Sequence, residues 1–257
     1  MPERSNYQSG VPCWVDLMTT DLPTAQRFYA EVFGWEVEDM GEEFGHYGMA
    51  TLRGKRVAGI GPVPPGQSMS SWNTYLATNN LDATAAKAKD ASGTIVVAPM
   101  DIGDAGRMAM LQDPAGALVG FWQPGTNTGA QLVNEPGALC WNEVHVRDGD
   151  AADSFYGAVF GYETEQLEGD LDYKMYKVDG NAICGRLAMS GEAAEEMPSM
   201  WLCYFAVEST DAALDQIRAS GGSVMFGPED TPYGRMAQCA DPAGAGFAVI
   251  QMMPETD

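Results

Sequence analysis

From Val11 to Met18 apolar and polar residues alternate, the period of a strand with one buried face. Asp21-Leu22-Pro23 then opens a helix, with Asp as N-cap and Pro in the first turn. Ala25, Phe28, Tyr29 and Val32 recur at i, i+3, i+4, i+7, an apolar stripe that ends where Gly34 stops the helix. Strand-like runs follow at Trp35–Asp39, Tyr47–Leu52 and Val57–Ile60, with a turn at Arg53-Gly54-Lys55. Beyond a Pro-, Gly- and Ser-rich stretch, Pro62–Ser71, the order recurs more faintly. A strand at Trp72–Thr78 and a helix at Leu81–Lys89 precede strands at Thr94–Ala98, Arg107–Leu111 and Ala117–Trp122. Each run is a β-α-β-β-β module.

The second half repeats the first. Trp14, Asp16, Asp21, Ala25, Phe28, Tyr29, Val32, Phe33 and Gly34 are matched by Trp141, Glu143, Asp148, Ala152, Phe155, Tyr156, Val159, Phe160 and Gly161, each 127 positions further on. Gly106-Arg107-Met108-Ala109 and Asp113-Pro114-Ala115-Gly116-Ala117 return as Gly234-Arg235-Met236-Ala237 and Asp241-Pro242-Ala243-Gly244-Ala245, within one residue of that offset. So many matches in register mark a duplicated domain. In the second half, strands are expected at Leu139–Val146, Tyr173–Val178, Met200–Val207 and Phe247–Met252, with helices near Ala151–Val159 and Thr210–Ser220. The expected organisation is an α+β protein of four modules, 11–62, 71–123, 138–188 and 199–253. They form tandem domains 1–123 and 137–257, joined by the linker 124–136.

Composition narrows the function. With 45% hydrophobic residues, each domain is expected to bury a core. No apolar run approaches the ~20 residues of a membrane span, and residues 1–10 carry no apolar stretch of signal-peptide type. A net charge of −22, with no Lys/Arg cluster breaking it, argues against a nucleic-acid partner. The acidic residues, including Glu36, Glu38, Asp39, Glu42, Glu43, Glu192, Glu195 and Glu196, read as a solvated surface; adaptation to salt is the other reading. Cys13, Cys140, Cys184, Cys203 and Cys239, an odd set without a C-x-x-C pair, fit free thiols in a reducing cytoplasm. Monomer and homodimer are both compatible with the sequence.

The four modules, the helix end Phe28-Tyr29…Phe33-Gly34-Trp35 and the Asp-Pro-x-Gly turn before the last strand together resemble the vicinal oxygen chelate superfamily. That group holds glyoxalase I, extradiol dioxygenases and bleomycin- and fosfomycin-resistance proteins. Within it, Trp14-Val15-Asp16-Leu17, Trp72-Asn73-Thr74-Tyr75, Asp101-Ile102-Gly103-Asp104-Ala105-Gly106-Arg107 and Leu132-Val133-Asn134-Glu135 are similar to two-domain actinobacterial glyoxalase-like proteins. The resemblance implies mixed sheets curled into cups, with metal ligands, usually His, Gln or Glu, on the first and last strand of each module. Those positions carry Trp14, Asn73, Trp141 and Leu202 on first strands, and Gly59, Gly120, Gly185 and Ala248 on last strands. Asn73 alone is a donor, and a weak one, whereas a divalent ion needs at least three. No metal and no other cofactor is therefore expected. A shift of two residues, to Asp16 or Glu143, or recruitment of His46 or His145, would be the rescue.

Alternation places Trp14, Asp16 and Met18 on one strand face, and Trp141, Glu143 and His145 on its repeat. Asn73 with Tyr75, and Leu202 with Tyr204, are expected on the facing strands. Each cup then offers an indole wall, one carboxylate and a tyrosine, which suits a flat apolar ligand, aromatic or polyketide-like. Two function classes follow. In a proton-transfer enzyme (isomerase, cyclase, lyase or hydratase) Asp16 or Glu143 is the base and Tyr75 or Tyr204 stabilises the oxyanion. In a resistance-type binder the same cups only sequester. A metal-dependent glyoxalase or dioxygenase is the third reading. Arg107 and Arg235 are expected either to hold an anionic or carbonyl group of the ligand or to form salt bridges. For Trp14, Trp141, Asp16 and Glu143 the competing role is packing and structural hydrogen bonding in a vestigial cup.

Overall fold

The structure, a computed structural model, describes residues 3–191 and 197–253. Glu192, Glu195 and Glu196 and the outermost ends of the two expected domains lie outside the described residues. The first half runs β1 (Pro12–Thr19), α1 (Leu22–Phe33), β2 (Glu36–Asp39), β3 (Gly48–Leu52), β4 (Lys55–Pro62), β5 (Ser71–Ala77), α2 (Leu81–Asp90), β6 (Thr94–Ile102), β7 (Gly106–Gln112) and β8 (Leu118–Pro124). The second repeats it as β9 (Leu139–Val146), α3 (Gly149–Phe160), β10 (Glu163–Gln166), β11 (Tyr173–Val178), β12 (Asn181–Ala188), β13 (Met200–Ala206), α4 (Thr210–Ala219), β14 (Ser223–Thr231), β15 (Gly234–Ala240) and β16 (Gly246–Met252).

Local chemistry sets the helix ends. The Asp21 and Asp148 side chains accept from the backbone N–H of Thr24 and Ala151, and Gly34 and Gly161 close the helices in the left-handed conformation at φ 73° and 74°. Four strands went unrecognised by pattern. β10 is exposed along its whole length and β14 nearly so, so neither shows a buried stripe, while β12 and β15 lacked a clear alternation.

Strand order is β2-β3-β4-β1-β5-β8-β7-β6 in one sheet and β10-β11-β12-β9-β13-β16-β15-β14 in the other. Module one therefore pairs with module two, through antiparallel β1–β5, and module three with four, through β9–β13. Each sheet is mixed, because β1–β4 and β5–β8 run parallel. Such eight-stranded mixed sheets with helices against one face are the α+β architecture.

The expectation of a core in each domain needs correction, because both large cores straddle the halves. One joins α1 and Val15, Leu17 and Ile60 to Phe205, Phe247, Val249 and α4. The other joins α2 and Leu76, Val119 and Phe121 to Val144, Val146 and α3. A helix lying on a single sheet leaves half its apolar surface bare, and the partner domain covers it. Ring pairs seal the first core, among them Phe28 edge-on to Phe247 and Phe33 to Phe205. Reciprocal polar contacts fix the docking. Tyr29 donates to Asp241 at 3.3 Å, Tyr156 donates to Asp113 at 2.8 Å, and the Trp72 and Trp201 indoles each donate to their tyrosine at 2.9 Å. At the centre Thr74 donates to Asn142 at 2.9 Å. With helices and cores on the inner faces, the two cups open outward.

Candidate functional site

In each half, the first strand bulges as it enters the cup. Register slips between Pro12 and Trp14, and again opposite the Tyr204–Phe205 step, leaving Cys13 and Cys140 as the extra residues. Their thiols donate to the carbonyls of Tyr75 and Tyr204, both at 3.4 Å. Burial pushes both thiols far above their ordinary pKa, so they are inert structural groups. The described cysteines are all free.

Across the first cup run two rungs of paired residues, Gly59–Asp16–Asn73 and Trp14–Tyr75–Gly120. Asp16, 4% exposed, accepts from Asn73 Nδ2 at 2.9 Å, from Tyr75 at 3.1 Å and from Tyr47 at 3.3 Å. The Trp14 indole donates to Tyr47 at 3.1 Å. Met18 sits half-buried on the same face, against Gly61. The second cup repeats the plan as Gly185–Glu143–Leu202 and Trp141–Tyr204–Ala248. Glu143, 8% exposed, accepts from Tyr173 and Tyr204 at 2.7 Å each, and Trp141 donates to Tyr173 at 3.1 Å. Leu202 replaces the amide of Asn73, and His145, buried two residues along β9, lies 3.0 Å from Glu143.

Tyr47 and Tyr173 were not foreseen. Their signal was available, since each stands at or just before the start of the third strand of its module, two residues before Met49 and Met175. They also explain the glycines at the last-strand positions. A Cβ on Gly59 would collide with the Tyr47 hydroxyl, one on Gly185 with the Tyr173 hydroxyl, and one on Gly120 with the Tyr75 ring. Phenols occupy the space in which a ligating carboxylate would start.

The two carboxylates titrate in opposite directions. Burial raises Asp16 to about 6, only partly offset by its Asn73, Tyr75 and Tyr47 hydrogen bonds. Burial acts likewise on Glu143, but the hydrogen bond and charge of His145, with the two phenols, outweigh it and hold the carboxyl below the ordinary value. All four cup tyrosines are pushed up by burial and then by the neighbouring carboxylate, so they remain protonated donors. A carboxyl with a raised pKa favours the fold while protonated, so Asp16 costs stability as pH climbs from about 4 past 6. The cost is at most roughly 3 kcal/mol for the rise to about 6. Glu143 stabilises above the ordinary carboxyl pKa, and that contribution is lost as pH falls through its depressed value. Relative to wild type, Asp16→Asn is therefore expected to gain stability from pH 5 to pH 8, whereas the deficit of Glu143→Gln stays nearly level over that range and shrinks only below the ordinary carboxyl pKa. Urea melts at pH 5 and pH 8 check this, and an Asp16→Asn curve parallel to wild type would refute it.

Arg107 and Arg235 do not line the cups. On β7 and β15, Met110 and Met236 face the cups, which sends both arginines to the helix side. There Arg107 bridges Asp82 and Asp101 at 2.7 and 2.8 Å, and Arg235 bridges Asp211 and Asp230 at 3.0 Å each. Of the two roles the sequence left open for them, holding a ligand group or salt bridging, these contacts match the second. His46 is exposed and paired with Asp39 at 2.9 Å. A divalent ion does not fit the donors present. Among the described residues no group of three or more His, Cys, Asp or Glu side chains lies close enough to hold one, and Glu143 and His145 are two donors on one strand.

This outward-cupped, twice-duplicated sheet is matched by the family model described as Glyoxalase/Bleomycin resistance protein/Dioxygenase superfamily, over residues 13–121 and 139–249. The chain belongs to that superfamily. CFP32 of Mycobacterium tuberculosis, named as a candidate glyoxylase, is 41% identical over 99% of this chain and 100% of its own. The anthracycline biosynthesis protein DnrV of Streptomyces peucetius is 33% identical over 96% of this chain and 95% of its own. Among solved structures, the Mn(II)-bound glyoxalase of Novosphingobium aromaticivorans shares the fold with a TM-score of 0.66 at 16% identity, covering 97% of this chain and 85% of that one. The 2,3-dioxygenase LapB of Pseudomonas sp. KL28 does so with a TM-score of 0.67 at 14% identity, covering 98% and 97%. No helix among the described residues is long and apolar enough to cross a membrane.

Proposed function

We propose that this protein binds a small, flat, apolar metabolite in its cups without a metal ion and moves a proton on it, in an isomerisation, cyclisation, elimination or hydration. One observation carries the reading. In the second cup an ionised carboxylate, Glu143, lies under a half-buried indole, Trp141, with two protonated phenols within 2.7 Å. Glu143 would take a proton from a carbon beside a carbonyl, Tyr204 or Tyr173 would hydrogen-bond the oxyanion that forms, and the proton would return at a second atom. In the first cup Asp16 would serve the same role, its pKa raised to about 6 making it a stronger base that is still mostly ionised near neutrality. The free thiols fit a reducing, cytoplasmic compartment. A polyketide-like guest agrees with the name of the relative DnrV, a protein of anthracycline biosynthesis.

A second reading, sequestration without turnover, is favoured by a different observation. Asp16 and Glu143 each already accept three hydrogen bonds of the roughly four a carboxylate can take, so most of their capacity is spent within the protein. Metal analysis, paired with indole fluorescence titration against hydroxylated anthraquinones, tests the common ground. Quenching by metal-free protein is expected. Near-stoichiometric Fe, Mn, Ni or Zn that survives dialysis, and whose removal abolishes quenching, would overturn the metal-free reading.

A further inference from the structure

Away from both cups, three chain segments meet beside the start of β4 in the first sheet. Glu3 bridges Leu132, and the Arg4 backbone N–H donates to Gln131 O at 3.0 Å. The Gln131 side chain accepts from the Arg56 N–H at 3.0 Å, and Gln131 N–H donates back to Arg56 O at 2.7 Å. These bonds frame a groove of about 520 Å³ lined by Arg4, Arg56, Ser5, Thr126, Thr128 and Gln131, together with the paired Glu3 and Lys55.

The groove's charge is opposite to that of the molecule. In a chain of net charge −22, an exposed guanidinium normally finds a carboxylate, as Arg107, Arg218 and Arg235 do. Lys55 is paired with Glu3 at 3.0 Å, yet among the described residues no carboxylate lies within ion-pair reach of Arg4 or Arg56. The Arg56 guanidinium meets only the Thr126 carbonyl, at 3.4 Å. Neighbouring Arg53 is neutralised by Glu135. Two planar cations lining a space otherwise edged by three hydroxyls, an amide and the mutually neutralising Glu3–Lys55 pair are a match for a tetrahedral oxyanion carried on a hydroxylated body. The bulk negative charge does not cancel this, because screening confines each charge to about 8–10 Å at physiological ionic strength.

We propose that this groove binds a phosphorylated, polyhydroxylated small molecule of the sugar-phosphate class. Arg4 and Arg56 hold the phosphate, and Ser5, Thr126 and Thr128 bond the hydroxyls. The space exceeds that of a bare phosphate, which makes the hydroxylated body part of the recognition.

Calorimetric titration of the full chain at low salt, with glucose 6-phosphate, inorganic phosphate and glucose as probes, tests this. Glucose 6-phosphate is expected to bind about tenfold or more tighter than phosphate, and glucose not measurably. Arg56→Gln and Arg4→Gln should each weaken it by about tenfold, while Arg27→Gln, remote and on α1, should leave it unchanged. Melting curves verify that the variants fold, and Arg4, on an exposed segment, tolerates exchange. Absent binding, equal affinity for phosphate and sugar phosphate, or equal loss from Arg27→Gln would each overturn the proposal.

Discussion

Glu143→Gln is expected to lower turnover by roughly 10²–10⁴-fold, the usual worth of a positioned general base, while ligand affinity stays within a few-fold. The amide matches the carboxylate in size and its oxygen still accepts from one phenol, so the cup keeps its shape. What it loses is the capacity to take a proton. Trp141 is half-buried and donates to Tyr173, a partner of Glu143, so its fluorescence reports binding independently of turnover. Asp16→Asn is the matched comparison. If the second cup is the reactive one, that variant changes turnover by less than about tenfold, a difference below 1.4 kcal/mol in barrier. Full turnover in both variants, with binding retained, would exclude proton-transfer catalysis by either carboxylate.

The largest stability effect is expected outside the cups, at Asp153→Ala. Arg186 is 1% exposed and is held by Asp153 through Nε and Nη2 at 3.2 and 3.1 Å, while Asp172, at the surface, takes Nη1 at 2.8 Å. Asp153 also accepts from Tyr176 at 2.8 Å and Lys174 at 2.6 Å. Burial would raise the Asp153 carboxyl, but these partners more than offset it and hold it below its ordinary pKa. Removing it strands a buried guanidinium, at a cost of about 3–5 kcal/mol. The first domain shows the alternative solution. Ile60, opposite Leu17, stands where Arg186 stands opposite Val144, and it packs without any ion pair. Asp153→Ala combined with Arg186→Ile is therefore expected to be markedly more stable than Asp153→Ala alone in urea melts. A double variant as unstable as the single one would show that Asp153 acts through Lys174 or Tyr176 rather than through the buried charge.

Much of this was legible in the residues. The caps at Asp21, Gly34, Asp148 and Gly161 act within one helical turn, and the helix stripes follow from spacing alone. Strand alternation correctly put Trp14 with Asp16, Trp141 with Glu143 and His145, and Asn73 with Tyr75 on shared faces, because that period depends on nothing distant. Arg107 and Arg235 kept two readings open for a related reason. β7 and β15 are covered on both faces, by a core on one side and Met110 or Met236 on the other, so no polar face reveals which phase looks into the cup.

By itself, then, the chain determined its duplicated modules and its helix boundaries, both of which are written in spacing and residue type. Only the assembled molecule decided that module one joins module two, that each large core draws on both halves, and that Tyr47 and Tyr173 close over Gly59 and Gly185 onto the carboxylates. Those outcomes depend on strand register and on which surfaces are left bare after local folding. They are set by contacts between residues about 30 to more than 200 positions apart, which no local period encodes.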